Sequence, residues 1–203
     1  MAISAQDKIL YVANKLGLTS LQNMQGSTGA VYDVDIAGTN SIFTSASQHL
    51  APSITNVNDN RFEVNEALLV ECVSFFIYNS STGDIDNFTT QYGSGTTIVW
   101  DLVIGNKTVM KDMPVFGGGC PYTFATAGVL QQGAAETPQQ IIRPRHQTYL
   151  EGAGILIPPQ VEWLVNYKLY NAVTGANVPI SETWKIGAYL FGTKVLLNFN
   201  TTL

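Results

Sequence analysis

The sequence predicts an all-β fold, a single antiparallel β-sandwich of jelly-roll type with a short N-terminal helical arm. Three observations predict this fold. A helical apolar pattern occurs only at the start of the chain, later segments alternate apolar and polar side chains with a period of two, and no helices interleave with these strands, which excludes a parallel βαβ architecture. About eight such strands suit a two-sheet jelly roll. We therefore assign residues 1–29 to the arm and residues 30–203 to the sandwich.

The arm carries the clearest helix signal of the chain. Ser4 is a suitable N-cap with Asp7 three residues later, and Gly17 is well placed to end the helix. A stripe at helical spacing consists of Ile9, Val12, Ala13 and Leu16. Because so short a helix is marginal in water alone, the stripe must pack on its own domain, on a neighbouring subunit or on a membrane surface.

The first predicted strand of the sandwich ends at Gly38. In it two aspartates, Asp33 and Asp35, alternate with three apolar side chains, which are Tyr32, Val34 and Ile36. Strand-borne charges are expected on faces that point away from the core. The side chains to which this expectation applies are Asp33, Asp35, Asp101, Glu162 and Lys168.

The next segments are a short strand at 41–47, a loop at 50–60 and a long strand within 61–78. Residues in the middle of the long segment also have helical propensity. The content of β-branched and aromatic residues rises towards its end, however, and favours a strand. We expect a bulge near Glu66. The residues predicted to share one face are Leu69, Val73, Phe75 and Ile77.

The middle of the chain combines a hairpin with polar or glycine-rich loops at 79–95 and 114–135. Gly105 and Asn106 fit a two-residue type II′ turn. The strand before this turn has one apolar face, which consists of Ile98, Trp100, Leu102 and Ile104. The return strand is predicted at 107–110, and Pro144 restricts the extended segment around it to an edge or a bulge.

The last third of the chain alternates most clearly. After an apolar stretch at 155–159, one face of the next strand consists of Val161, Trp163, Val165, Tyr167 and Leu169. Residues 171–183 form a turn-rich loop. A final strand or strand pair, 184–197, places Ile186, Ala188 and Leu190 in phase.

Charge is scarce in this chain: Asp, Glu, Lys and Arg together make up 12% of its residues, against about 25% in an ordinary soluble domain. The net charge is −5, and the only local basic cluster, Arg143, Arg145 and His146, does not provide a phosphate track, so we expect no direct sequence-specific nucleic-acid binding. Neutral polar side chains can be buried against a neighbour at lower desolvation cost than ions. This composition indicates a subunit surrounded by other protein.

No motif identifies a catalytic, cofactor-binding or metal-binding site, and no cofactor is expected. The chain's two histidines, His49 and His146, lack metal-site spacing, and Cys120 lies in a glycine-rich loop without a following helix to activate it. A disulfide between Cys72 and Cys120 stays open. Asp84 and Asp86 begin a calcium-like sequence but lack the glutamate that completes an EF-hand loop.

The N-terminal residues lack the basic and apolar regions of a signal peptide. We therefore expect synthesis in a host cytoplasm. The arm has only Lys8 and Lys15 as basic residues, which disfavours contact with a genome.

The arm, the low charge and two strand regions, residues 68–75 and 152–163, together resemble jelly-roll capsid or capsid-associated structural proteins of bacteriophages and viruses. The resemblance covers residues 30–200 and implies a catalytically inert virion protein that assembles with copies of itself and with other virion proteins. It implies an assembly interface for the helix stripe Ile9, Val12, Ala13 and Leu16. Contact with a membrane stays open.

A second hypothesis is a glycan- or receptor-binding module of a virion or cell surface. Its loops, 79–95 and 114–135, carry aromatic side chains suited to stacking on sugars. Those side chains are Tyr92, Tyr122 and Phe124. A third hypothesis is a hydrolase that uses carboxylates on neighbouring strands. Its candidates are Glu71, Asp101 and Glu162.

Overall fold

The computed structural model describes residues 4–18, 21, 23–44, 54–57, 59–86, 96–116, 148–149 and 154–197. Within these ranges the chain forms one helix followed by ten strands. The helix is α1 (Ala5–Lys15), and the strands are β1 (Gln25–Val34), β2 (Ser41–Ile42), β3 (Glu66–Asn79), β4 (Ile85–Asp86), β5 (Thr96–Ile104), β6 (Lys107–Phe116), β7 (Thr148–Tyr149), β8 (Ile155–Ile157), β9 (Trp163–Asn171) and β10 (Trp184–Leu196).

The strands form two antiparallel sheets. Sheet A has the order β1-β10-β3-β4, and β7 and β8 also pair with β3. Sheet B has the order β2-β9-β5-β6. The expected all-β architecture with one short N-terminal helix is confirmed.

The strand pairs are nested along the chain. β5 pairs with β6 across a two-residue turn, β3 pairs with β8, β2 pairs with β9, and β1 pairs with β10. Gly105 has a φ of 61° in the turn, as the predicted type II′ hairpin requires. Successive pairs in this nest alternate between sheet B and sheet A.

The main core lies between the sheets. β5 contributes Ile98, Trp100 and Leu102, and β10 contributes Ile186, Ala188 and Leu190. β9 contributes Trp163, Val165, Tyr167 and Leu169. These inward faces are the ones that the two-residue alternation predicts.

A bulge in β3 corrects the predicted face of the long strand. Phe191 pairs with Cys72 and Gly192 pairs with Val70, so Glu71 is the extra residue and the bulge lies there, not near Glu66. A Cβ on Gly192 would overlap the Leu69 carbonyl oxygen. The bulge reverses which face the alternating side chains occupy. Val73, Phe75 and Ile77 therefore lie in the main core, whereas Leu69 packs on the opposite face.

Other elements begin or end elsewhere than predicted. β1 begins at Gln25, inside the segment assigned to the arm, and β4 lies within the segment predicted as a loop. β6 continues through Pro114 to Phe116. Pro114 is tolerated because β6 is the last strand in the described order of sheet B, where a missing backbone donor is less costly.

The outer face of sheet A is covered by the chain itself. At one end, α1 packs on a cluster that includes Ala67, Leu69 and Val195. At the other end, Val34, Phe76 and Tyr78 form a second cluster with Ile54. Sheet A is therefore apolar on both faces.

Candidate functional site

The outer face of sheet B carries a groove of about 340 Å³. Strands β2, β9, β5 and β6 form its floor, and most of the side chains that line it are polar. Its lining includes Ser41, Asp101, Asp112, Asn166, Lys168 and Tyr170. Lys168 and Asp101 thus lie on the outward face predicted for them.

A row of polar side chains crosses this floor. Asn166 pairs with Ser41 on one side and with Asp101 on the other, and side chains opposite one another in a sheet are neighbours. The Ser41 hydroxyl donates to Asn166 Oδ1 over 2.7 Å. That bond orients the amide, so its Nδ2 donor is on the side away from Ser41.

A second bulge shapes the row where it reaches β6. Trp100 pairs with Met113 and Leu102 with Met110, so Asp101 is opposite two residues of β6. One of these, Asp112, has a φ of 52° and donates its backbone N–H to Asp101 Oδ1 over 2.6 Å. Bulges next to functional sites commonly re-aim a side chain, and here the bulge fixes the Asp101 carboxylate.

Beneath the groove lies a network that we call the corner network, formed by Asp33, Asp35 and Tyr167 with residues 39–43. Asp35 accepts the Tyr167 hydroxyl over 2.9 Å, the Asn40 N–H over 2.7 Å and the Thr39 N–H over 2.9 Å. Asp33 accepts the Phe43 N–H over 2.6 Å. The network fixes one rim of the groove, because Thr39, Asn40 and Ser41 line it.

The corner network overturns the predicted orientation of β1. Asp33 and Asp35 are 0% and 4% exposed, not on an outward face. Their apolar neighbours Val34 and Ile36 pack on the outer face of sheet A instead. The physical reason is the crossing from β1 to β2, where the buried Phe43 N–H and the buried Tyr167 hydroxyl need acceptors.

The helix stripe packs on the chain's own sheet A. Val12 and Ala13 are 0% and 1% exposed, Leu16 lies against the same cluster, and the Ile9 side chain contacts Gly26. The cap is as predicted, because the Asp7 N–H donates to Ser4 Oγ over 3.1 Å. Among the described residues, no helix is long and apolar enough to cross a membrane.

An ion pair ties the helix to the β3 bulge. Lys8 Nζ lies 2.6 Å from Glu71 Oε2, and both side chains are largely buried. The Thr193 hydroxyl donates to the other carboxylate oxygen of Glu71 over 2.8 Å. Glu71 thereby connects α1, β3 and β10.

The carboxylates considered for hydrolysis lie apart. Glu71 is on the outer face of sheet A, Asp101 is on the outer face of sheet B, and Glu162 is exposed and 3.5 Å from Arg61. Within the described ranges, no three His, Cys, Asp or Glu side chains form a group that could hold a metal ion. Asp84 Oδ2 accepts the Thr82 hydroxyl over 2.6 Å.

Several residues singled out in the sequence lie outside the described residues. They are His49, Tyr92, Cys120, Tyr122, Phe124, Arg143, Arg145 and His146. The side chain of Asp86 also lies outside them, and Cys72 is buried. The calcium and disulfide hypotheses therefore stay open.

Sequence reasoning missed Ser41, Asp112 and Asn166 as neighbours in one site. The polar alternation of β9 was visible, but the row depends on register across four strands and on a bulge in β6. Comparison of the chain with protein-family models, with curated proteins and with solved structures found no match.

Proposed function

We propose that the protein is a structural virion protein, a capsid or capsid-associated subunit with a jelly-roll sandwich, which acts by assembling with copies of itself and with other virion proteins. The observation that carries the assembly function is the low charge of the chain. The nested pairing of strands supports the jelly-roll sandwich.

The nested pairs correspond to one long hairpin wound into a barrel-like sandwich. Its tip is the β5–β6 turn. Each following pair lies in the sheet opposite to the pair before it; the pairs are β3 with β8, β2 with β9 and β1 with β10. Two interlocked Greek keys of this kind define a jelly roll, a fold used by viral capsid domains and also by lectins and cupins. The fold alone therefore does not decide the function.

The scarcity of charge favours the assembly function among these. Only 12% of the residues are charged, so a neighbour displaces water mostly from neutral groups, at lower cost than from ions. Apolar area buried in each contact contributes about 25 cal/mol per Å². Repetition over many copies stabilises a shell without any single strong contact. Synthesis in a host cytoplasm before incorporation into the virion belongs to the same proposal.

The position of the helix refines the interface that we propose for the arm. Val12 and Ala13 already pack on sheet A of the same chain. In this docked position a neighbouring subunit would therefore contact the other side of α1. Leu10, on that side, is 44% exposed. Removing residues 1–17 would uncover Ala67 and Leu69, so a deletion would confuse lost assembly with lost folding. A point substitution of Leu10 avoids this problem.

The test is the size of the purified full chain, measured by light scattering coupled to size exclusion and by negative-stain imaging. We expect assemblies much larger than the 22.0 kDa chain. A chain that stays monomeric at high concentration contradicts the assembly function.

The variant Leu10→Lys tests the arm separately. It should reduce assembly, because an ammonium group at a contact must be desolvated, while the thermal midpoint of the isolated subunit stays the same. The matched control is Val173→Lys, at an 88% exposed position between β9 and β10, which should assemble normally. Normal assembly of Leu10→Lys would exclude the proposed contact of α1.

A further inference from the structure

We propose that the groove on the outer face of sheet B is a saccharide-binding site, in which Asp101 and Asn166 bind the hydroxyl groups of one neutral sugar residue and Tyr170 contacts its ring. This inference goes beyond particle assembly and does not depend on it. It also places sugar recognition on strands, and not on the loops at 79–95 and 114–135.

The groove has the size and composition of a small-molecule site. Its volume of about 340 Å³ falls within the range of about 300–1,000 Å³ that is common for such sites. The floor is formed by paired strands, so ligand binding orders little backbone. A site whose groups are already fixed loses less entropy on binding.

Asp101 and Asn166 offer complementary hydrogen bonds side by side. Asp101 and Asn166 both line the groove. Asp101 Oδ1 accepts the Asp112 N–H, and no described residue bonds its other oxygen, which remains an acceptor. Asn166 uses Oδ1 for the Ser41 hydroxyl, and no described residue accepts from its amide N–H groups, which remain as donors. Because a sugar hydroxyl both donates and accepts, two neighbouring hydroxyls match this adjacent acceptor and donor.

The charges at the groove balance, which suits a neutral ligand. Its two carboxylates, Asp101 and Asp112, are matched by Lys168 in the lining and by Lys111, whose Nζ lies 4.0 Å from Asp112 Oδ2. A site without net charge does not attract phosphates, acidic sugars or cations over neutral ligands. Tyr170 adds an aromatic ring with a polar end, which suits a ligand that has both C–H surface and hydroxyl groups.

The backbone around the groove is held in unusual conformations. Asp112 and Asn40 have φ values of 52° and 64°, a region that costs energy for residues with a side chain. Each carries a contact that shapes the site: Asp112 fixes Asp101, and the Asn40 amide donates to the Tyr167 carbonyl over 3.2 Å. Such strain is typical of positions where function requires a fixed geometry.

The experiment is saturation-transfer difference NMR on the full chain, a method that tolerates large assemblies. The probes are the methyl glycosides of glucose, galactose, mannose and N-acetylglucosamine at millimolar concentration. We expect transfer to at least one of them, and a loss of affinity of about tenfold or more in Asp101→Asn and in Asn166→Ala, since the first replaces a charged acceptor by a neutral amide donor and the second removes a donor. Asp84→Asn, an exposed carboxylate on the β3–β4 hairpin, is the matched control and should bind normally.

Three results would overturn the proposal. One is no transfer to any of the four glycosides. Another is transfer that Asp101→Asn and Asn166→Ala leave unchanged, which would move sugar binding to the loops. The third is stronger binding of N-acetylneuraminic acid, inorganic phosphate or Ca²⁺ than of any neutral glycoside, lost in the same variants. Circular dichroism melting of each variant establishes that a loss of binding is not a loss of fold.

Discussion

The two sheets of this sandwich differ in what covers their outer faces. In sheet A, β3 is buried at every position except Glu66 and Glu71, because sheet B covers one face while α1 and the segment around Ile54 cover the other. In sheet B, β9 alternates between buried and partly exposed positions. Sheet A thus stabilises the subunit with both faces, whereas among the described residues nothing comparable packs on the outer face of sheet B, which carries the groove.

The sequence of each central strand reflects this difference. β3 reads as an almost continuous apolar run, which is typical of a strand buried on both faces, and β9 alternates, which is typical of a strand with one solvated face. The apolar run explains why the faces of β3 were difficult to assign. The number of layers around each strand, and not its propensity, determines which pattern appears.

The largest expected effect concerns the corner network, which joins the two sheets. Asp35→Ala removes the acceptor of the Tyr167 hydroxyl, the Asn40 N–H and the Thr39 N–H. The Tyr167 hydroxyl would be left buried without this acceptor, which costs about 1–3 kcal/mol, and the N–H groups of the exposed residues Thr39 and Asn40 would each lose a bond to a charged acceptor, worth about 1.5–3 kcal/mol. We expect the free energy of unfolding to fall by about 3 kcal/mol or more, measured by urea denaturation followed by tryptophan fluorescence at one protein concentration.

The matched control is Asp84→Ala, which removes an exposed carboxylate that accepts one hydroxyl. Its effect should stay within about 0.5 kcal/mol. If Asp35→Ala and Asp84→Ala cost the same, Asp35 is not a buried link between the sheets in solution.

The second prediction compares one leucine on each outer face. Leu69, under α1 on sheet A, is 0% exposed, while Leu164 on sheet B is only partly buried. Leu69→Ala leaves a cavity beneath the helix and should cost about 2–5 kcal/mol. Leu164→Ala removes contacts that water replaces and should cost about 1 kcal/mol or less. Urea denaturation of both variants measures the difference.

Equal losses for the two leucines would mean that α1 does not cover sheet A in solution. The comparison therefore also tests whether the arm docks on its own subunit. Limited proteolysis of the wild-type arm provides an independent measurement of the same docking, since a docked helix resists cleavage.

The sequence predicts the fold far better than the site, for reasons that particular residues illustrate. Local alternation identifies the inward faces of β5, β9 and β10, because each of these strands has one face in the main core. The same alternation in β1 identifies two faces but not which one is inward, so it predicts Asp33 and Asp35 on the outside. Only the long-range requirement of the buried Phe43 N–H and Tyr167 hydroxyl for acceptors decides their orientation.

Bulges are the second reason. The extra residue at Glu71 depends on Gly192 in β10, which is distant in sequence, and the bulge opposite Asp101 depends on how β6 pairs. The helix stripe of the arm illustrates a third limit of sequence-based prediction. Its helical spacing is local and can be predicted, whereas the surface on which it packs, which includes Ala67 and Val195, exists only once sheet A has formed. A row such as Ser41, Asn166 and Asp101 combines all of these non-local requirements.

The smallest expected effect on stability compares one lysine on each sheet. It tests whether the groove lysine of sheet B contributes to the stability of the fold. Lys168 is exposed in the groove of sheet B and makes no ion pair with a described residue, whereas Lys194 in sheet A lies 3.0 Å from Glu66. Lysine is disfavoured in strands and threonine is favoured, on a scale that spans about 1 kcal/mol. Lys168→Thr should therefore leave stability unchanged or raise it by about 0.5 kcal/mol.

The corresponding variant of sheet A should behave in the opposite way. Lys194→Thr gains the same strand propensity but loses a half-exposed ion pair, worth about 0.5 kcal/mol after screening, together with the packing of the lysine stem against Gly29. We expect a small loss of stability, measured as the shift of the urea midpoint in both variants. A gain at Lys168 beside a loss at Lys194 would mean that sheet B retains a side chain at the expense of stability, as expected where a residue serves ligand binding. A loss at Lys168 as large as that at Lys194 would instead assign the groove lysine to the stability of the fold.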